Sequence, residues 1–207
     1  MQSHGEGPKS LRPDLSRSSA VPQTTVATGG TGRPASQSGS GLETIIVRRI
    51  FFLDLENLLR GSQLDLSQLA AIAGEMERLI GWGKGDQFVV GYSRAMAERA
   101  VHLANEVWTG CRHVVGSGAG GGKSELIAAL LAQPIRANTK IVVGSGDGLF
   151  TAPCRELQDR GASVTVVAAG ADSLSAQLKA STKDCRLLSN VRYGGDSLAS
   201  YPGQEGW

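Results

Sequence analysis

The sequence predicts a doubly wound α/β domain, a three-layer sandwich whose mainly parallel sheet has about five strands. Short apolar segments rich in β-branched residues alternate with segments in which apolar residues recur at helical spacing. This alternation is typical of a parallel sheet covered by helices on both faces. The strand segments are apolar on both sides, which suits strands that such a sheet buries completely.

The first half of the domain contains two strand–helix pairs. A strand is predicted over 44–53 because TIIVRRIFFL is rich in β-branched and aromatic residues. The helix over 67–82 has apolar residues at helical spacing, namely Leu69, Ile72, Ala73, Met76, Leu79 and Ile80. A strand over 87–92 (QFVVGY) and a helix over 95–108, with its apolar residues on one face, complete this half.

The second half continues the alternation. A short strand over 111–115 precedes a glycine cluster at 116–122, and SELIAALLA predicts a helix over 124–132 that ends before Pro134. The apolar patterns then predict strands over 140–144 and 163–168, helices over 150–160 and 172–180, and an edge strand over 185–189.

Both ends of the chain are predicted to lie outside the domain, which covers 44–188. Residues 1–43 form a predicted disordered tail, since the first 42 include eight Ser, seven Gly and four Pro and offer little apolar surface to offset the entropy of ordering. Residues 189–207 are predicted to be a flexible tail. The sequence shows neither a signal-peptide pattern nor the apolar run of about 18 residues that a membrane span needs, so no membrane association is expected.

Charge and cysteine content narrow the classes of function. The formal net charge of the 207 residues is +2, so bulk charge does not indicate a nucleic-acid-binding protein, although a local basic patch would. The three cysteines are widely spaced and form no CxxC pair, which argues against a zinc knuckle and a disulfide framework. A reducing compartment, the cytoplasm, is therefore expected.

Two acidic residues follow predicted strands that flank the expected switch point of the sheet. Asp54 follows the first strand and Asp147 follows the fourth. Ligand sites of doubly wound sheets lie at the carboxyl ends of the strands. Two carboxylates across one cleft repel each other unless a cation lies between them, and oxygen ligands suit Mg²⁺ or Mn²⁺. The alternative is that each Asp only caps the helix that follows it.

Five further polar residues fall near the same edge, and each has two interpretations. Glu125 is either a third acidic ligand or a carboxylate favoured by the dipole of the helix that it begins. Asn57 either orients a ligand or water or caps a helix. Ser145 either bonds a site carboxylate or a phosphate, or completes a turn. Arg94 and Lys123 are either phosphate contacts or solvated surface charges.

Three segments of the chain resemble the NYN domain, a branch of the PIN-like nuclease superfamily. They are IFFLDLENLL (50–59), GGKSELIAALL (121–131) and IVVGSGDGLFTAPCRELQDRGASVTVVA (141–168). The third is the most specific, because the family typically has a strand, Ser-Gly-Asp, an apolar residue, a helix, a glycine and another strand in this order. The resemblance covers about 44–180, nearly the whole predicted domain.

The resemblance implies a PIN-like fold and a metal-dependent endoribonuclease that hydrolyses RNA phosphodiester bonds. By motif position, the catalytic acids and ligands of Mg²⁺ or Mn²⁺ would be Asp54, Glu125 and Asp147. Asn57 and Ser145 would support them. The bound ion would activate a water for in-line attack on the phosphodiester.

The resemblance also bears on RNA binding, and the chain departs from it at two positions. RNA would approach along loops that carry Arg94, Lys123 and Arg60. Glu125 stands where the family usually has Asp, and Leu149 stands where many relatives have the second Asp of Ser-Gly-Asp-x-Asp-Phe.

The sequence also leaves other classes of function open. Because Glu125 and Leu149 depart from the family pattern, one is an RNA-binding or regulatory module of the same fold that cleaves weakly or not at all. Another is a scaffold whose N-terminal tail recruits a protein partner, and homodimerisation also stays open. The segment GSGAGGGKS (116–124) suggests a P-loop-like nucleotide-binding protein, but Ser117 stands at the first glycine position of the required GxxxxGK[ST] spacing.

Overall fold

A computed structural model of the chain describes residues 47–117 and 122–193. The strands are β1 (Arg49–Asp54), β2 (Gln87–Ser93), β3 (Arg112–Gly116), β4 (Lys140–Gly144), β5 (Ser163–Ala168) and β6 (Asp184–Leu187). The helices are α1 (Leu55–Leu59), α2 (Leu66–Ile80), α3 (Ala97–Val107), α4 (Lys123–Leu131), α5 (Thr151–Asp159) and α6 (Ala176–Ser181). Within the described ranges, none of the helices has the length and apolar composition needed to cross a bilayer.

The six strands form one fully parallel sheet in the order β3-β2-β1-β4-β5-β6. The predicted three-layer α/β fold is thus confirmed. The sheet has one strand more than the five expected, because the candidate edge strand pairs with β5 as β6. The predicted N-terminal tail, 1–43, lies outside the described residues.

Strand β1 lies at the centre of the sheet, between β2 and β4. Its side chains alternate between two cores, as the two-residue period of a strand requires. Phe51 and Leu53 pack with the helices α1, α2 and α3 on one face. Ile50 and Phe52 pack with α4, α5 and α6 on the other. All four are fully buried, so the continuous apolar run of β1 reflects burial on both faces.

Helix α1 was not predicted from the sequence, and α6 begins later than the helix predicted over 172–180. Helix α1 is a single five-residue turn, too short to produce a helical period in the sequence. Helix α6 begins at Ala176, after an irregular loop over 169–175. In this loop the Ser173 hydroxyl bonds both the N–H and the carbonyl of Gly170. The Ser175 hydroxyl then caps α6 by accepting the N–H of Leu178.

The chain stays packed beyond the predicted end of the domain at 188. Val191 and Tyr193 are each 7% exposed and belong to the core on the α1–α3 face. The amide nitrogen of Asn190 donates to both carboxylate oxygens of Glu75, at 3.0 and 3.1 Å. The predicted end of the domain at 188, with a flexible tail over 189–207, is therefore too early. The packed segment continues at least to Tyr193, because these contacts bury residues that follow 188. Residues 194–207 lie outside the described ranges.

Candidate active site at the carboxyl edge of the sheet

The switch point of the sheet lies between β1 and β4. The chain leaves β1 towards the face covered by α1–α3 and leaves β4 towards the face covered by α4–α6. The crevice that this divergence opens at the carboxyl ends is where doubly wound proteins bind ligands. Asp54 is the last residue of β1, and Asp147 comes shortly after β4.

Asp54 is buried, only 2% exposed, and its carboxylate accepts hydrogen bonds from two neutral groups. One oxygen accepts the backbone N–H of Asn57 at 3.3 Å, so Asp54 also caps α1. The other accepts the hydroxyl of Ser145 at 3.1 Å. Burial raises the pKa of Asp54 from its ordinary value of 3.8 to about 6, although these hydrogen bonds and the charge of Lys123 act in the opposite direction.

Ser145 connects the two acids. Its hydroxyl donates to Asp54 and accepts the backbone N–H of Asp147 at 3.2 Å, and the residue is fully buried. Asn57 adds a second connection, since its side-chain oxygen accepts the N–H of Gly146 at 2.7 Å. The turn after β4 is therefore joined to the end of β1 by a side-chain hydrogen bond and to α1 by a bond between a backbone N–H and a side chain.

Gly146 allows a third loop to pack against this turn. A Cβ at position 146 would lie 2.0 Å from the carbonyl oxygen of Ser173, so no side chain fits without a shift of the backbone. The carbonyl of Gly146 accepts the N–H of Ser175 at 2.8 Å. The loop over 169–175 thus forms a wall beside the turn that carries Asp147.

Asp147 is half-buried and has a charged partner. One carboxylate oxygen accepts the N–H of Leu149 at 2.9 Å, and the other lies 3.0 Å from the ammonium nitrogen of Lys123. Burial acts to raise the pKa of Asp147, but the hydrogen bonds from Leu149 and Lys123 outweigh it and place the pKa below its ordinary value. Asp147 is therefore ionised at neutral pH.

Lys123 is the first residue of α4 and forms an ion pair with Asp147. Burial acts to lower its pKa, but the hydrogen bond to Asp147 and the charges of Asp54 and Glu56 outweigh burial and raise the pKa. Glu56 was not singled out from the sequence, although it stands between Asp54 and Asn57 in the same motif. Lys123 therefore contacts Asp147 directly, and its charge also interacts with those of Asp54 and Glu56.

Glu125 does not join the other two predicted acids in a metal-ligand cluster. Across 47–117 and 122–193, no three Asp, Glu, His or Cys side chains are grouped closely enough to hold a metal ion. Glu125 is half-buried in the first turn of α4, whereas Lys123 is the α4 residue that contacts Asp147. The predicted set of three ligands, Asp54, Glu125 and Asp147, is thus not assembled, because the start of α4 directs a lysine to the acids.

The other predicted basic contacts lie in different surroundings. Arg60 is paired with Asp172 of the 169–175 loop, and its guanidinium lies 5.1 Å over the ring of Tyr193. It therefore connects the end of α1 to two later segments. Arg94 is exposed in the turn between β2 and α3. In the glycine-rich segment, 118–121 lie outside the described residues, so the P-loop-like alternative stays a prediction.

Two acids at this edge have oxygen donors of the kind that hard divalent cations bind, although the described residues contain no cluster of three such ligands. Asp54 ends β1, Asp147 follows the neighbouring strand β4, and the Ser145 hydroxyl is hydrogen-bonded to both residues. The raised pKa of Asp54 means that its surroundings compensate its negative charge incompletely. Oxygen donors of this kind suit Mg²⁺ or Mn²⁺. Asp54 and Asp147 are accordingly the residues that could hold such an ion.

The fold and the site define a doubly wound α/β protein with an acid–lysine cluster at its switch point. No family model matches the chain, and no curated protein matches it. A protein of unknown function from Vibrio parahaemolyticus has a similar solved structure, with a TM-score of 0.48 and 16% sequence identity. The match covers 68% of this chain and 91% of that chain. A similarity this distant indicates no function.

Proposed function

We propose that the chain is a metal-dependent ribonuclease that hydrolyses RNA phosphodiester bonds at the carboxyl edge of its sheet. The observation that carries the proposal is the hydrogen-bonded connection from Asp54 through Ser145 to Asp147 at the switch point. Sheets of this kind bind ligands there. Asp54 and Asp147 are also two of the acids that the resemblance to NYN domains implies as ligands of Mg²⁺ or Mn²⁺.

Each residue of the site has a role in this proposal. Asp54 and Asp147 would hold the ion, which when bound would supply an activated water and polarise the phosphate. Ser145 and Asn57 keep the two acids at a fixed separation through their hydrogen bonds. Lys123 is charged beside the acids and offers a contact for a phosphate oxygen.

The proposed binding mode depends on phosphates rather than bases. The chain has ten aromatic residues, and several of those on the described part stack on one another in the core, as Phe51, Phe88 and Trp108 do. Few aromatic rings of the described residues are therefore left to stack on bases. We expect weak sequence preference and RNA affinity that falls steeply with salt.

The three cysteines are free thiols, which supports a cytoplasmic location.

The proposal is tested by cleavage of a mixed pool of single-stranded RNA with Mg²⁺ or Mn²⁺. The wild-type chain should cleave, EDTA should stop cleavage, and Asp147→Asn should lower the rate by roughly a hundredfold or more. Asp159→Asn is the matched control, because Asp159 is an exposed acid near the end of α5. Equal rates for the wild type and Asp147→Asn would reject the acidic site.

A second candidate is an RNA-binding module that does not cleave. The ion pair between Lys123 and Asp147 favours it, because one of the proposed metal ligands already has a positive partner. This candidate predicts that a fluorescent RNA binds in EDTA with the same affinity as in Mn²⁺, and that no metal induces cleavage. Fluorescence anisotropy and gel analysis of the same samples distinguish the two candidates.

A further inference from the structure

The ammonium group of Lys123 contacts one of the two acids with which the proposed ribonuclease would hold a divalent cation. The ammonium of Lys123 lies 3.0 Å from a carboxylate oxygen of Asp147. The two side chains are only 22% and 25% exposed, so solvent screens the pair less than it would on an open surface. This contact involves a proposed metal ligand directly.

The backbone holds Lys123 at this place. Helix α4 begins at Lys123, and the residue before it, Gly122, is pressed against β2. A Cβ on Gly122 would lie 2.4 Å from the backbone nitrogen of Tyr92 and 2.6 Å from its carbonyl oxygen. The carbonyl of Gly122 also accepts the N–H of Leu126 at 2.9 Å, which joins it to the helix. The lysine is therefore positioned by packing between α4 and the sheet.

The charges around Lys123 explain why it stays there. Its ammonium group is paired with Asp147 at 3.0 Å, and its positive charge also acts on Asp54 and Glu56. Arg60, another basic residue predicted at this edge, is paired with Asp172 instead. Lys123 thus offsets part of the negative charge of the cluster in the absence of a divalent ion.

We propose that Lys123 is a built-in counter-ion of the site, and that a divalent metal ion competes with its ammonium group for Asp147. This inference rests on the proposed metal-dependent function. A metal ion held by Asp54 and Asp147 requires the carboxylate that Lys123 binds, and two cations beside the same carboxylate repel each other. Metal binding therefore releases the ammonium, which becomes free to bind a phosphate oxygen of RNA. Metal and RNA consequently strengthen each other's binding, because the same lysine shift accompanies both.

The competition is measured by Mn²⁺ binding to the full chain, followed by electron paramagnetic resonance of the free ion. Lys123→Met should bind Mn²⁺ about tenfold more tightly than the wild type, because the competing charge is gone. Lys123→Arg keeps the charge and should remain close to the wild type. Lys179→Met, which removes an exposed lysine of α6, is the matched control and should leave the affinity unchanged.

The coupling to RNA is measured separately with an uncleavable 2′-O-methyl RNA. Mn²⁺ should raise the RNA affinity of the wild type several-fold and raise that of Lys123→Met much less. Circular dichroism checks that the variants are folded, and Lys123→Gln replaces Lys123→Met if the methionine variant is not.

The outcomes separate this inference from the proposed function. If the wild type and Lys123→Met bind Mn²⁺ equally well, the lysine does not compete, and the proposed metal site stands without it. If neither protein binds Mn²⁺, the metal site itself is wrong, and both proposals fail. Tighter binding by Lys123→Met than by Lys123→Arg supports both.

Discussion

The side-chain oxygen of Asn57 accepts a hydrogen bond of 2.7 Å from the backbone N–H of Gly146. The two residues are 89 positions apart in sequence; Asn57 lies in α1, directly after the central strand β1, and Gly146 lies in the turn after the central strand β4. Gly146 is buried, so water does not readily replace this acceptor. Together with Ser145, Asn57 therefore fixes the turn that carries Asp147 relative to Asp54.

Replacing Asn57 should weaken the fold through this turn. Asn57→Ala leaves the buried N–H of Gly146 without its acceptor, which costs about 1–3 kcal/mol of the free energy of unfolding. Asn57→Asp keeps an oxygen in the same position and should lose less. Urea denaturation of the three proteins measures the order. Equal stability of Asn57→Ala and the wild type would mean that another group satisfies the N–H.

The pKa of Asp54 predicts how stability changes with pH. Burial raises this pKa from 3.8 to about 6, so between these values the folded chain binds a proton that the unfolded chain has lost. The contribution of Asp54 to stability therefore falls as pH rises through this window and is least favourable above about pH 6.

Asp54→Asn removes this titration. At pH 8 the variant should be more stable than the wild type by roughly 1–3 kcal/mol, and near pH 4 the difference should largely disappear. Urea denaturation at several pH values measures the difference. A gap that stays constant from pH 4 to pH 8 would contradict the raised pKa. Because Asp54 is a proposed metal ligand, the stabilised variant should be inactive, as in other trade-offs between stability and activity.

The strands of the sheet could be predicted from the sequence, but the short helix α1 and the loop over 169–175 could not. The predicted and observed bounds of β4 and β5 coincide, because each is a β-branched run limited by polar residues or glycine. The single turn of α1 and the 169–175 loop have no periodic pattern that a sequence reading could detect. Their form depends on hydrogen bonds within the loop and to Gly146.

In the site, too, the positions set by the strand order were predicted from the sequence, and the contacts set by long-range packing were not. Asp54 and Asp147 were predicted at one edge, because strand ends and the order of a doubly wound sheet determine where they lie. The contact of Lys123 with Asp147 was not predicted, since it depends on how the start of α4 packs against β2. The contact of Asn190 with Glu75 joins positions 115 residues apart, and no local pattern marks it.

The packed segment after β6 provides a test of that contact. Hydrogen bonds from Arg78, opposed by burial and aided by Asn190, lower the pKa of Glu75 to about 2, so the carboxylate is charged at neutral pH. Asn190→Ala should cost about 1 kcal/mol and increase hydrogen exchange over 190–193. Arg192→Ala, at an exposed neighbouring position, is the control. Unchanged exchange in Asn190→Ala would show that Val191 and Tyr193 hold the segment without it.

Gly122 should tolerate no side chain. Gly122→Ala places a Cβ within 2.4 Å of the backbone of Tyr92, so α4 or β2 must shift, and we expect a loss of about 1–3 kcal/mol. Gly74→Ala is the matched control, since Gly74 lies in α2 with open space around its Cβ position and should gain up to about 1 kcal/mol from helix propensity. Thermal and urea denaturation compare the two. A neutral Gly122→Ala would mean that Lys123 is not held in place by this packing.

Position 149 allows a further carboxylate to be introduced beside Asp147 with little effect on the free energy of unfolding. It follows Asp147 closely, is 62% exposed, and contributes its backbone N–H, not its side chain, to the Asp147 carboxylate. Leu149→Asp should therefore change the free energy of unfolding by no more than about 0.5 kcal/mol.

The added carboxylate should nevertheless act on a bound cation. It lies beside a proposed ligand, so Leu149→Asp should bind Mn²⁺ more tightly than the wild type. Leu149→Asn is the matched neutral control and should bind as the wild type does. Paramagnetic resonance of free Mn²⁺ measures all three. Equal affinity of the Asp and Asn variants would place the cation elsewhere, because a new charge beside a bound divalent ion cannot leave its binding free energy unchanged.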